Sequence, residues 1–147
     1  MSYRLDVDWT QEKYVQLRGT ILLGSSQCSG LELADQLRTD GYEVIETFNT
    51  SEFINRFTEA WSGQKSIGPL ELVILDLTQP DWANLATLEY VRRVDWSIPV
   101  IVINSSTNGK SEEEKLEVAE LGATLVFKRP FEMDDLRTAV LNAVPQF

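Results

Sequence analysis

The chain has 147 residues and a formal net charge of −10, with 23 Asp and Glu against 13 Lys and Arg, and it contains no His. An apolar fraction of 43% is enough for one domain with a real core. The acid excess excludes a DNA- or RNA-binding surface, which needs clustered cations, and the missing His excludes Ser-His-Asp and Cys-His catalysis and disfavours a zinc site.

Residues 1–18, MSYRLDVDWTQEKYVQLR, stand outside the pattern that follows. Tyr3, Leu5, Val7 and Trp9 alternate with Arg4, Asp6 and Asp8, as in a short strand or an extended arm. A tail packed on the domain and an arm for dimerisation or partner binding both fit. From residue 19 to 147 the chain reads as one domain. TILLG (20–24) is apolar throughout, as in a strand buried on both faces. SGLELADQLRTDG (29–41) predicts a helix with Ser29 and Glu32 in capping-box spacing, Leu33 and Leu37 on one face, and Gly41 as its C-terminal stop. YEVIETF (42–48) predicts a second strand.

NTSEFINRFTEAW (49–61) predicts a helix capped by Asn49 or Thr50, with an apolar stripe of Phe53, Ile54, Phe57, Ala60 and Trp61. LELVILDL (70–77) is a third strand, apolar except for Asp76 near its end. NLATLEYVRRV (84–94) predicts a third helix and IPVIVIN (98–104) a fourth strand. SEEEKLEVAELG (111–122) predicts a fourth helix, with Ser111 and Glu114 as its capping box. ATLVFKR (123–129) is the fifth strand, and PFEMDDLRTAVLNAV (130–144) the last helix, with Pro130 at an early position.

Five β-α units in alternation predict an α/β fold: a doubly wound, five-stranded parallel sheet with helices on both faces. Ligands in such folds bind beyond the carboxyl ends of the strands. Those ends carry Gly24-Ser25-Ser26, Asp76, Asn104-Ser105 and Lys128-Arg129-Pro130. The loop GSSQCSG (24–30) is not a Walker A loop, because Gly24 and Gly30 have the wrong spacing and Leu31 and Glu32 follow where Lys and Ser/Thr are required. No G-x-G-x-x-G is present either. Cys28 is the single cysteine. It forms no internal disulfide, fits a reducing cytoplasm, and reads as a small packed residue with no acid-base partner. No apolar run reaches the length of a membrane span, and the N-terminus lacks a signal-peptide pattern.

LELVILDLTQP, IPVIVINSS and ELGATLVFKRPF resemble, in order, the third strand, fourth strand and fifth-strand segment of response-regulator receiver domains, a flavodoxin-like, CheY-like fold used in two-component phosphorelay signalling. The resemblance spans residues 19–144. It implies that Asp76 matches the phospho-accepting aspartate. The adjacent carboxylates that hold Mg²⁺ in the family match Ser25 and Ser26. The hydroxyl residue after the fourth strand matches Asn104, the lysine before the proline matches Arg129 with Lys128 beside it, and the aromatic switch residue matches Val126.

Two neutral Ser hydroxyls hold a hard cation such as Mg²⁺ poorly. If the missing clamp removes roughly 4 kcal/mol of transition-state stabilisation, phosphoryl transfer slows about a thousandfold. Asp76 opposite Arg129 and Lys128 gives a pocket that needs no metal for charge balance. The reading is therefore a pseudo-receiver: not an enzyme, with no cofactor and weak or absent Mg²⁺ binding. It is expected to be cytoplasmic, to bind neither nucleic acid nor membrane, and to work as a phosphorylation-independent interaction module for a protein partner or histidine kinase. The family's usual partner face, built from the fourth helix, fifth strand and last helix, also suggests a homodimer through the last two helices, with Arg137 as a solvent-facing probe. Two alternatives stay open. One is an active receiver phosphorylated on Asp76. The other is a binder of a small anion held by Arg129, Lys128 and backbone N–H groups.

Overall fold

A computed structural model describes residues 19–25, 31–61, 70–76, 86–104, 120, 122–128 and 131–144. The strands are β1 (Thr20–Gly24), β2 (Glu43–Thr47), β3 (Leu72–Asp76), β4 (Val100–Asn104) and β5 (Leu125–Lys128). The helices are α1 (Leu31–Thr39), α2 (Thr50–Trp61), α3 (Ala86–Val94) and α4 (Met133–Ala143). The fourth helix expected over 111–122 lies outside the described residues apart from helical Glu120, so α4 is the last helix of the sequence reading. The arm 1–18 and the capping residues Ser29 and Ser111 lie outside them as well.

All five strands pair in parallel in the order β2-β1-β3-β4-β5. This is the flavodoxin-like doubly wound order. The central strands read as unbroken apolar runs because both faces are covered. Ile21, Leu23, Ile74, Ile101 and Ile103 point to one layer with Leu33 and Leu37 of α1 and Leu136 and Val140 of α4. Leu22, Val73, Leu75, Val100 and Val102 point to the other with Phe53 and Phe57 of α2 and Leu88 and Val91 of α3. β5 is the edge strand and is more exposed, Leu125 being 44% accessible.

The helix stops follow from local chemistry. Gly41 has φ +102°, its N–H donates to the Arg38 carbonyl at 3.0 Å, and the Tyr42 N–H donates to the Leu37 carbonyl at 3.1 Å. This pair of bonds is a Schellman motif, sealed by burial of Tyr42 and Leu37 in one cluster. α2 is capped by Asn49, whose Oδ1 accepts from the Glu52 N–H at 2.8 Å. Glu52 reaches back to accept from the Phe48 N–H at 2.9 Å, a capping box displaced by one residue. Asn49→Ala is expected to cost about 1 kcal/mol and to lower the unfolding midpoint by roughly 3 °C, as read by circular dichroism. α4 begins only at Met133 after an extended Glu132 that makes no side-chain cap bond. Pro130 thus precedes the helix by three positions.

Candidate functional site

The carboxyl ends of the strands form one edge of the sheet. Gly24 is in register with Thr47 of β2 and Leu75 of β3. Asp76 is in register with Ile103, and Asn104 with Lys128. Extending the β1–β3 register by one position sets Ser25 level with Asp76. Side chains alternate along strands, so Ser25 follows Ile21 and Leu23, and Asp76 follows Leu72 and Ile74, onto the same α1/α4 side of the sheet. The sequence reading placed these two residues together, and the strand register does the same.

Asp76 is 0% accessible and Ser25 1%. A buried carboxylate is tolerable only when it is partnered, and neither side chain is without an interaction. The Ser25 backbone N–H donates to the Thr47 carbonyl at 3.1 Å. Thr47, itself fully buried, donates its Oγ1 hydrogen to the Leu23 carbonyl at 3.0 Å. Thr47 therefore ties the end of β2 to the turn that carries Ser25. Nothing in YEVIETF distinguishes this threonine from an ordinary strand residue, so sequence reasoning missed it.

The other expected site residues separate. Lys128 is half-buried at the end of β5, with the whole of β4 between it and β3. By alternation it shares its side of the sheet with Val126, which packs against the α2/α3 cluster. That is the side opposite Asp76, so a direct Asp76–Lys128 pair does not follow from the strand geometry. Ser26, Arg129 and Cys28 lie outside the described residues, and Asn104 is placed here by its backbone register. Val126 leaves β5 without an aromatic at the expected switch position. The aromatic of β5 is Phe127, which packs into the α1/α4 layer with its ring 5.6 Å from that of Phe131.

Arg137 is not a free surface cation. Its Nε donates to Asp40 Oδ2 at 2.8 Å and another guanidinium N–H to Asp40 Oδ1 at 2.9 Å, while Asp134 accepts at 3.1 Å. The Asp40 hydrogen bond and charge raise the guanidinium's pKa further. This two-pronged contact joins α4 to the end of α1, so reversing the charge at 137 would disturb a helix contact before any partner. Leu125, exposed on the edge strand, is the better probe of that face.

The described part of the site thus offers one carboxylate, one hydroxyl and backbone groups. Among the described residues no three Asp, Glu or Cys side chains converge as metal ligands, and no helix is long and apolar enough to cross a membrane.

No protein-family model matches the chain. The uncharacterized transcriptional regulatory protein YkoG of Bacillus subtilis is 28% identical over 111 residues, covering 76% of this chain and 44% of its own length. Sporulation initiation phosphotransferase F of Bacillus subtilis is 25% identical over 113 residues, covering 77% of this chain and 82% of its own. The chain spans less than half the length of YkoG. Among solved structures, a response regulator receiver domain from Clostridium thermocellum superposes with a TM-score of 0.70 at 23% identity, covering 86% of this chain and 94% of that one. The architecture is the receiver fold.

Proposed function

We propose that this chain is a receiver-type signalling domain that acts by presenting a protein-binding surface, without a Mg²⁺-dependent phosphorylation cycle. The observation that carries this reading is the pairing at the sheet edge: Asp76 is kept and buried, and the residue level with it on β1 is Ser25, not a carboxylate. Mg²⁺ is held through carboxylates, phosphate oxygens and retained waters. One carboxylate and one neutral hydroxyl fit it badly. Phosphoryl transfer needs that charge neutralisation, because the protein supplies little else than positioning and electrostatics.

The relay is also altered. A phosphoryl group shifts a conformational equilibrium only through contacts that differ between the two states. Val126 offers no ring or hydroxyl to reorient, and Phe127 is engaged in the core. Asp76 on this reading has a structural part, and binding resides on a face away from it, with Leu125 on the edge strand the exposed apolar position there. The relatives' printed names, a phosphotransferase and a transcriptional regulatory protein, support a place in a signalling pathway; a histidine kinase or another pathway protein is the partner proposed.

Incubation with acetyl phosphate and millimolar Mg²⁺ tests this. Intact-mass measurement is expected to show no added phosphoryl group on the native chain, and tryptophan fluorescence no saturable Mg²⁺ response. A phosphoryl adduct that forms within minutes and disappears in Asp76→Asn would establish the competing reading, a working phosphoreceiver.

A further inference from the structure

At the opposite edge of the sheet, where the strands begin, lies a cavity of about 380 Å³. Its apolar wall is Leu70, Ile98, Pro99 and Ala143, and its polar wall holds two carboxylates, Glu71 and Asp95. One Glu71 oxygen, Oε1, is buried with no hydrogen-bond partner. Asp95 accepts from the Ser97 N–H at 2.8 Å and the Ser97 hydroxyl at 2.7 Å, both on Oδ1. Burial pushes the Asp95 carboxyl up, but the Ser97 bonds and the Arg92 charge outweigh it and hold it below the usual range. The one cation facing it, Arg92, spends its donors on backbone carbonyls and Thr124. The cavity is thus an apolar recess with uncompensated negative charge.

The chain passes this recess on its way into β1. A Cβ placed on Gly19 would sit 2.6 Å from Glu71 Oε1 and 2.7 Å from the Val144 Cγ1, next to Ala143. The Glu71 N–H donates to the Thr20 carbonyl at 2.9 Å. The residues immediately before Gly19 are Lys13-Tyr14-Val15-Gln16-Leu17-Arg18, which carry two cations, no carboxylate and three apolar side chains. Each extended residue spans at most about 3.6 Å, so two or three residues of this stretch cover the recess from the entry point.

We propose that the cavity lined by Leu70, Ile98, Pro99 and Ala143 with Glu71 and Asp95 is the seat of the chain's own segment Lys13–Arg18, with Leu17 or Val15 in the apolar recess and Arg18 against Glu71. An ammonium or guanidinium there satisfies a buried carboxylate oxygen, and aliphatic side chains cover the apolar wall. The arm then belongs to the domain's fold and leaves the far edge, with Asp76, open.

A charge-exchange cycle in the full-length chain tests it. Arg18→Glu and Glu71→Arg are each expected to lower the thermal midpoint by ~2–4 °C at low salt, and the double exchange to recover most of the loss. Additive losses, or no loss in either single variant, would overturn the pairing. A nitroxide on Gln16→Cys, in a Cys28→Ser background so that it is the only label, gives a readout that alters neither partner. Broadening of the Ser97 and Ala143 amides supports the seat, and its absence there overturns it. Broadening that appears only when labelled copies are mixed with separate isotope-labelled copies would assign the recess to a second molecule and overturn the intramolecular proposal.

Discussion

Arg92→Ala is expected to cost about 3–5 kcal/mol, a loss typical of removing one member of a buried charged network. Arg92 is 5% accessible in the last turn of α3. Its Nε donates to the Gly122 carbonyl at 2.8 Å, and one terminal N–H group donates to the carbonyls of Ile98 at 2.6 Å and Asp95 at 3.2 Å. The other terminal nitrogen lies 3.5 Å from Thr124 Oγ1, which in turn accepts from the Val100 N–H at 3.0 Å. One side chain therefore ties the end of α3, the loop into β4 and the entry to β5. Burial lowers its pKa and the Asp95 charge partly offsets this.

Truncation leaves those carbonyls short of a donor and opens a void. At roughly 2–4 °C per kcal/mol for a chain of this size, the midpoint should fall by about 6–20 °C in a calorimetric scan. Gly122 supplies the internal control. It has φ +110°, and an added Cβ would meet Arg92 Cγ at 2.7 Å and Nε at 2.8 Å. Gly122→Ala should destabilise through both strain and collision. Combined with Arg92→Ala, it should cost less than the sum of the singles, because the collision is gone and only the strain remains. Additive losses would mean that the two residues act separately.

The same arginine shows where sequence reading stops. In LEYVRRV, Arg92 and Arg93 look alike, and both read as solvated helix positions. What buries Arg92 is a set of carbonyls at 98 and 122 that only the tertiary fold brings together. Arg137 looked solvent-facing for the same reason: its partner, Asp40, is 97 residues away. The sheet was legible because burial on both faces writes itself as unbroken apolar runs, and β1, β3 and β4 each have one. Asp76 and Ser25 were legible because a polar residue at the end of such a run stands out. Lys128 was not, because which side of the sheet it takes depends on the phase of β5, a short half-exposed strand with weak alternation. Thr47 was hidden by being a common strand residue whose hydroxyl bonds the neighbouring strand.

Restoring the missing carboxylates is the second large effect expected: Ser25→Asp/Ser26→Asp should raise the rate of acetyl phosphate-driven phosphorylation of Asp76 about a thousandfold in millimolar Mg²⁺. The step has a geometric basis at position 25, which is level with Asp76 and on the same side of the sheet. A carboxylate there adds negative charge beside a buried one. Without metal the pair repel in a poorly solvated site, so the variant should be less stable than the native chain in EDTA. A cation that binds only the folded form restores stability by mass action, in proportion to ln(1 + [Mg²⁺]/Kd). The midpoint of the variant should therefore climb with Mg²⁺ concentration, and that of the native chain should stay flat. The rate follows because about 4 kcal/mol of charge stabilisation at the transferring phosphoryl group corresponds to a factor of about a thousand. Asp76→Asn in the same background should abolish the adduct while keeping much of the Mg²⁺ response, which separates metal binding from transfer. A variant that gains a Mg²⁺-dependent midpoint and still takes no phosphate would place the remaining defect beyond the metal clamp. A native chain that already takes phosphate as fast as the variant would remove the basis for reading this domain as phosphorylation-independent.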